Sequence, residues 1–160
     1  MIIRNHKYVS QNYKNSIMNN LNKIITLSFF LFILTFGVKA QTLLIFGGKN
    51  HDVFLGCLNC SKHDDKSIWN KNGDYGSKYN DKCIWNKYGD YGDKYSDFSP
   101  FNKYASYPPV LVDPDGNFYG YFTSDKYKEK RTTVELALYI IDYWESIRED
   151  VSMYYEKIFK

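Results

Sequence analysis

The residues with the most chemical reach are three cysteines and two histidines: Cys57, Cys60, Cys83, His51 and His63. Cys57-Leu58-Asn59-Cys60 has the spacing of a small disulfide loop, a redox pair or half of a metal site. A disulfide is expected first, because the chain carries an export pattern and oxidising compartments favour it. Zinc is the alternative, with Cys57, Cys60, His63 and Cys83 as ligands and His51 in reserve. That set lacks a second closely spaced ligand pair. A thioredoxin-like redox site would need the cysteine pair between a strand and the start of a helix, and turn-forming residues follow it instead. Cys83 is then the odd cysteine, a free thiol or a dimer contact.

No nucleophile, base and orienting acid fall into a hydrolase arrangement, and the serines lack a nucleophile-elbow setting. Asp64-Asp65 reads as a solvated loop pair. Asp74, Asp90, Asp93 and Asp97 offer oxygen ligands, but they lack the order of a calcium loop. No catalytic residue is assigned, no cofactor is expected, and the balance leans away from an enzyme.

The other chemistry-bearing feature is a phrase that repeats every sixteen residues. Ser67-Ile-Trp-Asn-Lys, Cys83-Ile-Trp-Asn-Lys and Ser99-Pro-Phe-Asn-Lys align, and Gly73-Asp-Tyr75-Gly aligns with Gly89-Asp-Tyr91-Gly. The third copy is degenerate, with Phe101, Ala105 and Tyr107 at the matching places. Glycines with Asx side chains point to turns, so the segment over about 67–108 is expected to be a turn-rich ribbon. Two readings of its rings stand side by side. Trp69, Trp85 and Phe101, with Asn70, Asn86, Tyr75 and Tyr91, would make a ligand surface that stacks on sugar rings. Alternatively the large rings are the core of a segment poor in aliphatics.

The elements that must hold this ribbon are legible on either side. Residues 42–46 and 52–55 are β-type runs around a Gly47-Gly48-Lys49-Asn50 turn. Val110-Leu-Val112 and residues 117–123 flank Asp113-Pro114-Asp115-Gly116, the clearest hairpin signal in the chain. Thr132-x-x-Glu135 reads as a capping box. It opens a helix over about 132–158 whose Val134, Ala137, Leu138, Ile141 and Trp144 share a face, with a break near Glu149-Asp150. The expected class is α+β: two hairpins flanking the repeats, with a C-terminal helix packed on the small sheet.

Residues 1–40 are expected to be a signal peptide. The uncharged run over 24–38 falls short of the roughly 18–20 apolar residues of a membrane span, and Val38-Lys-Ala40 supplies a cleavage pattern. Translation is expected to begin at Met18, and residues 41–160 form one small domain. Five of the 21 basic residues and none of the 18 acidic ones precede Gln41, so the remainder is formally −2. Its lysines interleave with aspartates, which argues against a nucleic-acid partner.

The span from about Phe54 to Thr123 resembles a group of exported bacterial proteins. Its matching phrases are Leu55-Gly-Cys-Leu-Asn-Cys60, the Ser-Ile-Trp-Asn repeats and Pro108-Pro-Val with Asp115-Gly-Asn-Phe-Tyr-Gly-Tyr-Phe-Thr123. The chain departs from that pattern at Cys83, where the repeat normally has Ser, and at Phe101, where it normally has Trp. The resemblance implies a secreted or periplasmic protein and carries no activity. The expected function is a non-catalytic interaction module that binds a cell-surface or extracellular polymer, such as a glycan or cell-wall chain. A thiol-redox or zinc protein, or a purely structural domain, is the alternative.

Overall fold

The computed structural model describes residues 18–23 and 41–160. The first stretch is helical and exposed. The rest of the expected signal peptide lies outside the described residues. Among the described residues no helix is long and apolar enough to cross a membrane.

The fold is α+β. β1 (Leu44–Gly47) and β2 (Val53–Cys57) form the first hairpin, and β3 (Val110–Val112) and β4 (Phe118–Tyr121) the second. The sheet order is β2-β1-β3-β4, antiparallel throughout, with Ile45 opposite Leu111 at its centre. Ile45 and Leu111, on the two central strands, are fully buried, and so is Leu55 on the edge strand β2.

The two hairpins share a backbone pattern around their second strands. Gly120 lies 64 residues after Gly56, four repeat lengths, and both have left-handed backbone (φ 104° and 114°). Cys57 N–H donates to Lys66 O and Tyr121 N–H to Lys130 O, while Ile68 and Thr132 N–H donate back to Cys57 O and Tyr121 O. Each hairpin thus feeds a turn segment that returns to lie parallel to its second strand. A Cβ at Gly56 or Gly120 would meet backbone atoms of that returning segment, so glycine is required at both places. With β1 and β3 paired antiparallel, the sheet has a quasi-twofold layout.

The Asp113 turn forms as expected, with Gly116 N–H donating to Asp113 O at 3.0 Å. Asp113 is 2% exposed, and its carboxylate accepts from the Asp115 and Asn117 amides, Asn117 Nδ2, Tyr119 Oη and Gln41 Nε2. These donors, Asn117 foremost, hold its pKa below the ordinary carboxylate value of 3.8. A depressed folded-state pKa stabilises the fold above the ordinary value, and that contribution is lost as pH falls through the folded one. Unfolding temperature should therefore drop on acidification below about pH 4. Asp113→Asn should start from a lower temperature and show a shallower acid slope, and equal slopes would refute the assignment.

The C-terminal helix is two helices, α1 (Glu135–Glu149) and α2 (Val151–Phe159), separated at Asp150, whose carboxylate caps Met153 N–H. The break falls where the sequence places it. The capping box does not form. Thr132 N–H is committed to Tyr121 O, so Thr132 stays two residues outside the helix and its Oγ1 accepts from Val134 N–H. The buried face is Ala137, Ile140, Ile141 and Ile147, while Leu138 and Trp144 are half-buried.

The ribbon between the hairpins is a chain of hydrogen-bonded turns. N–H to O links of 2.9–3.3 Å join residues 64, 67, 70 and 73, then 77, 80, 83, 86 and 89, then 93, 96 and 99. The steps are three residues long except Gly73 to Ser77 and Gly89 to Asp93, which are four. Four steps of three and one of four make sixteen, which is the physical origin of the period.

Candidate functional site

Most of these turns are clamped by the side chain of their first residue, which accepts from the N–H two residues on; the turns that start at Gly73 and Gly89 have no side chain to do so. Ser67, Cys83 and Ser99 hold Trp69, Trp85 and Phe101 in this way. Asn70, Asn86 and Asn102 hold residues 72, 88 and 104, and their Nδ2 groups reach back to the carbonyls of Asp64, Asn80 and Ser96. The recurring spacing within the repeat therefore builds backbone, and the side-chain amides of Asn70 and Asn86 are engaged at both ends in holding turns.

The rings point inward. Trp69 and Trp85 are 1% and 0% exposed and Phe101 is 6%. Trp69 Nε1 donates to Leu58 O and Trp85 Nε1 to Ile68 O at 2.7 and 2.6 Å. The three rings form a column with centroid spacings of 5.9 and 6.2 Å. The helices cover it: Trp144 stacks on Phe101 at 4.7 Å, and Tyr155 and Phe159 meet Trp69. No face of this column is open for stacking a sugar. Tyr75 and Tyr91, half-buried, pack over Gly56 and Gly47 of the first hairpin. Burial raises the Tyr91 pKa. The seven residues expected to form a ligand surface thus form the interior and its frame.

Cys57 and Cys60 are joined in a disulfide. Cys57 is fully buried at the end of β2, and turns follow Cys60, so the strand-to-helix setting of a redox pair is not built here. The zinc set is not assembled, because both paired sulfurs are consumed and His63 is exposed. Among the described residues no group of His, Cys, Asp and Glu is placed to hold a metal, the four aspartates included. Cys83 is free and buried; desolvation pushes its pKa up to about 12, which leaves it unreactive as a thiolate nucleophile. It occupies the clamp position of Ser67 and Ser99, where its Sγ accepts from Trp85 N–H.

What the ribbon does present to solvent is a second set of rings. Tyr79, Tyr88, Tyr95 and Tyr104 are 78–85% exposed. Each has the ammonium of the preceding lysine over its ring: Lys78, Lys87, Lys94 and Lys103, at 4.6–5.8 Å from the centroid. Tyr79 and Tyr95 are equivalent in the repeat, as are Tyr88 and Tyr104. Three adjoining clefts lie where this face meets the α1–α2 junction, and Arg148 lines all of them. Tyr79 and Tyr88 share one cleft, and Tyr95 lines the next. The signal was present in the sequence as a recurring Lys-Tyr pair at 78, 87, 94 and 103, overshadowed by the tryptophans and glycines.

Comparison with protein-family models, curated proteins and solved structures finds no match to the chain.

Proposed function

We propose that the chain is a non-catalytic, exported interaction module that binds an extended cell-surface or extracellular polymer through its Lys-Tyr ladder. The observation that carries this reading is the four highly exposed tyrosines, each with a lysine over its ring, at two repeat-related positions. The backbone carrying Tyr88, Tyr95 and Tyr104 is already clamped by Asx turns, so little backbone ordering cost remains on binding. A phenol ring offers an apolar face for a sugar and a hydroxyl at its edge, and the lysine adds a donor beside it. Individually weak contacts repeated along a polymer add through multivalency.

The test is a glycan array with a cell-wall pull-down, comparing the parent protein with a variant in which Tyr79, Tyr88, Tyr95 and Tyr104 are all alanine. These exposed positions should leave unfolding temperature nearly unchanged, within roughly 0.5 kcal/mol per site. Binding should fall at least about tenfold, since each stacked ring supplies roughly 0.5–1.5 kcal/mol. Full binding by the variant, or none by the parent protein, would end this reading.

A further inference from the structure

We infer that the cleft between Tyr79 and Tyr88 is a subsite for an anionic sugar unit, a pyranose carrying a carboxylate or a sulfate; the inference rests on the polymer-binding reading above.

The cleft has a volume of about 460 Å³, within the range that holds a ring-sized ligand. Its lining includes Lys78, Lys87 and Arg148 against one acidic residue, Glu149. The two adjoining clefts lack this excess. One sets Lys87, Lys94 and Arg148 against Asp93, Glu145 and Glu149, and the other sets Lys71, Lys78 and Arg148 against Glu149 and Asp150. Cationic charge therefore peaks in the middle, between the two exposed rings.

Arg148 is the unusual group. Its guanidinium lies over Trp144 at 4.5 Å and Phe101 at 5.8 Å, and Nη2 donates to Gly92 O. Its Nε is buried without a hydrogen-bond partner. It makes no ion pair, although Glu145, Glu149 and Asp93 are near enough to be felt electrostatically; the ion pairs among the described residues are those of Glu156 with Lys62 and Lys160. A guanidinium packed on rings, held at one edge and left unneutralised is preorganised for a planar or tetrahedral oxyanion. The phenol rings on either side suit the apolar face of a sugar. The neighbouring clefts, built from repeat-equivalent lysines at 71 and 87 and at 78 and 94, suit a ligand that is itself periodic.

Binding of the purified protein to polygalacturonate and dextran sulfate tests this, with methyl-esterified polygalacturonate and dextran as their uncharged counterparts. The charged member of at least one pair should bind about tenfold tighter or better at low ionic strength. That preference should shrink as salt rises from roughly 0.05 to 0.5 M. Arg148→Gln should abolish the preference. Lys78→Gln/Lys87→Gln, at two exposed positions, should cut it several-fold with the fold intact, and carries the test if the arginine variant does not fold. Equal binding to charged and uncharged partners, or a preference untouched by the lysine pair, would overturn the anionic subsite and leave the polymer-binding reading standing. Failure to bind any of the four polymers would overturn the subsite, while the glycan array decides the broader reading separately.

Discussion

Gly92→Ala should be among the most damaging glycine-to-alanine changes at the described residues. A Cβ there would overlap the carbonyl oxygen of Asn86, well inside the 3.0 Å that Cβ atoms keep from their neighbours, and Gly76 stands in the same relation to Asn70 one repeat earlier. The obstacle is backbone inside a chain of hydrogen-bonded turns, so no rotamer change relieves it. Overpacking that side chains can absorb costs about 1–3 kcal/mol, and this contact should exceed the upper figure. Against a total stability of roughly 5–15 kcal/mol for a domain of this size, Gly92→Ala should unfold at markedly lower temperature or fail to fold. Gly116→Ala is the informative comparison. Gly116 has φ +84° but nothing within 4 Å of where an added methyl would stand, so it should lose only the left-handed backbone cost of about 1–2 kcal/mol. Equal losses at the two glycines in thermal or denaturant unfolding would contradict the close approach.

Trp85→Ala should cost about as much by a different route. The ring is fully buried between Trp69 and Phe101. Its removal opens a cavity in the column, a change that costs about 3–5 kcal/mol for a large aromatic. It also takes away the donor to Ile68 O, and an orphaned buried acceptor adds roughly 1–3 kcal/mol. Tyr88→Ala, at an 85% exposed ring three residues on, should leave stability within about 0.5 kcal/mol. The pair separates the two ring sets cleanly: stability should follow the tryptophan and polymer binding the tyrosine. A Trp85→Ala protein that unfolds like its parent would refute the ring column, and one that stays folded but loses binding would return Trp85 to the ligand surface.

Local chemistry made several features legible before any fold was in view. Asp113-Pro-Asp-Gly116 specifies its turn through one carboxylate and one glycine, so the second hairpin can be read directly. The cysteine pair three residues apart closes within its own loop. The helical break at Asp150 is local too, because a carboxylate there caps the next helix. The sixteen-residue period was visible as well, and so was its turn-forming character, since glycine and Asx residues act on their immediate neighbours.

Other features depended on partners distant in sequence. Thr132-x-x-Glu135 has every local mark of a capping box, yet Tyr121 takes the Thr132 amide and moves the helix start. Ile140 and Ile147 join the core because α1 turns that face to the ring column, which periodicity alone does not choose. The likeness of the two hairpins rests on matching hydrogen bonds 64 residues apart, with few identical side chains besides Phe54 and Phe118, Gly56 and Gly120, and lysines at 62 and 126 and at 66 and 130.

By itself, the sequence determined the α+β class, the turn-built ribbon and its period, because each follows from interactions over a few residues; the disulfide it favoured over a redox or zinc pair is formed in the fold. The direction of the rings was decided only by tertiary structure. A turn ribbon presents aromatic residues to both of its sides, and burial goes to whichever side the hairpins and helices cover. Trp69, Trp85 and Phe101 fall on the covered side, where indole N–H groups find carbonyls and large rings leave water. Tyr79, Tyr88, Tyr95 and Tyr104 are left outside, beside their lysines.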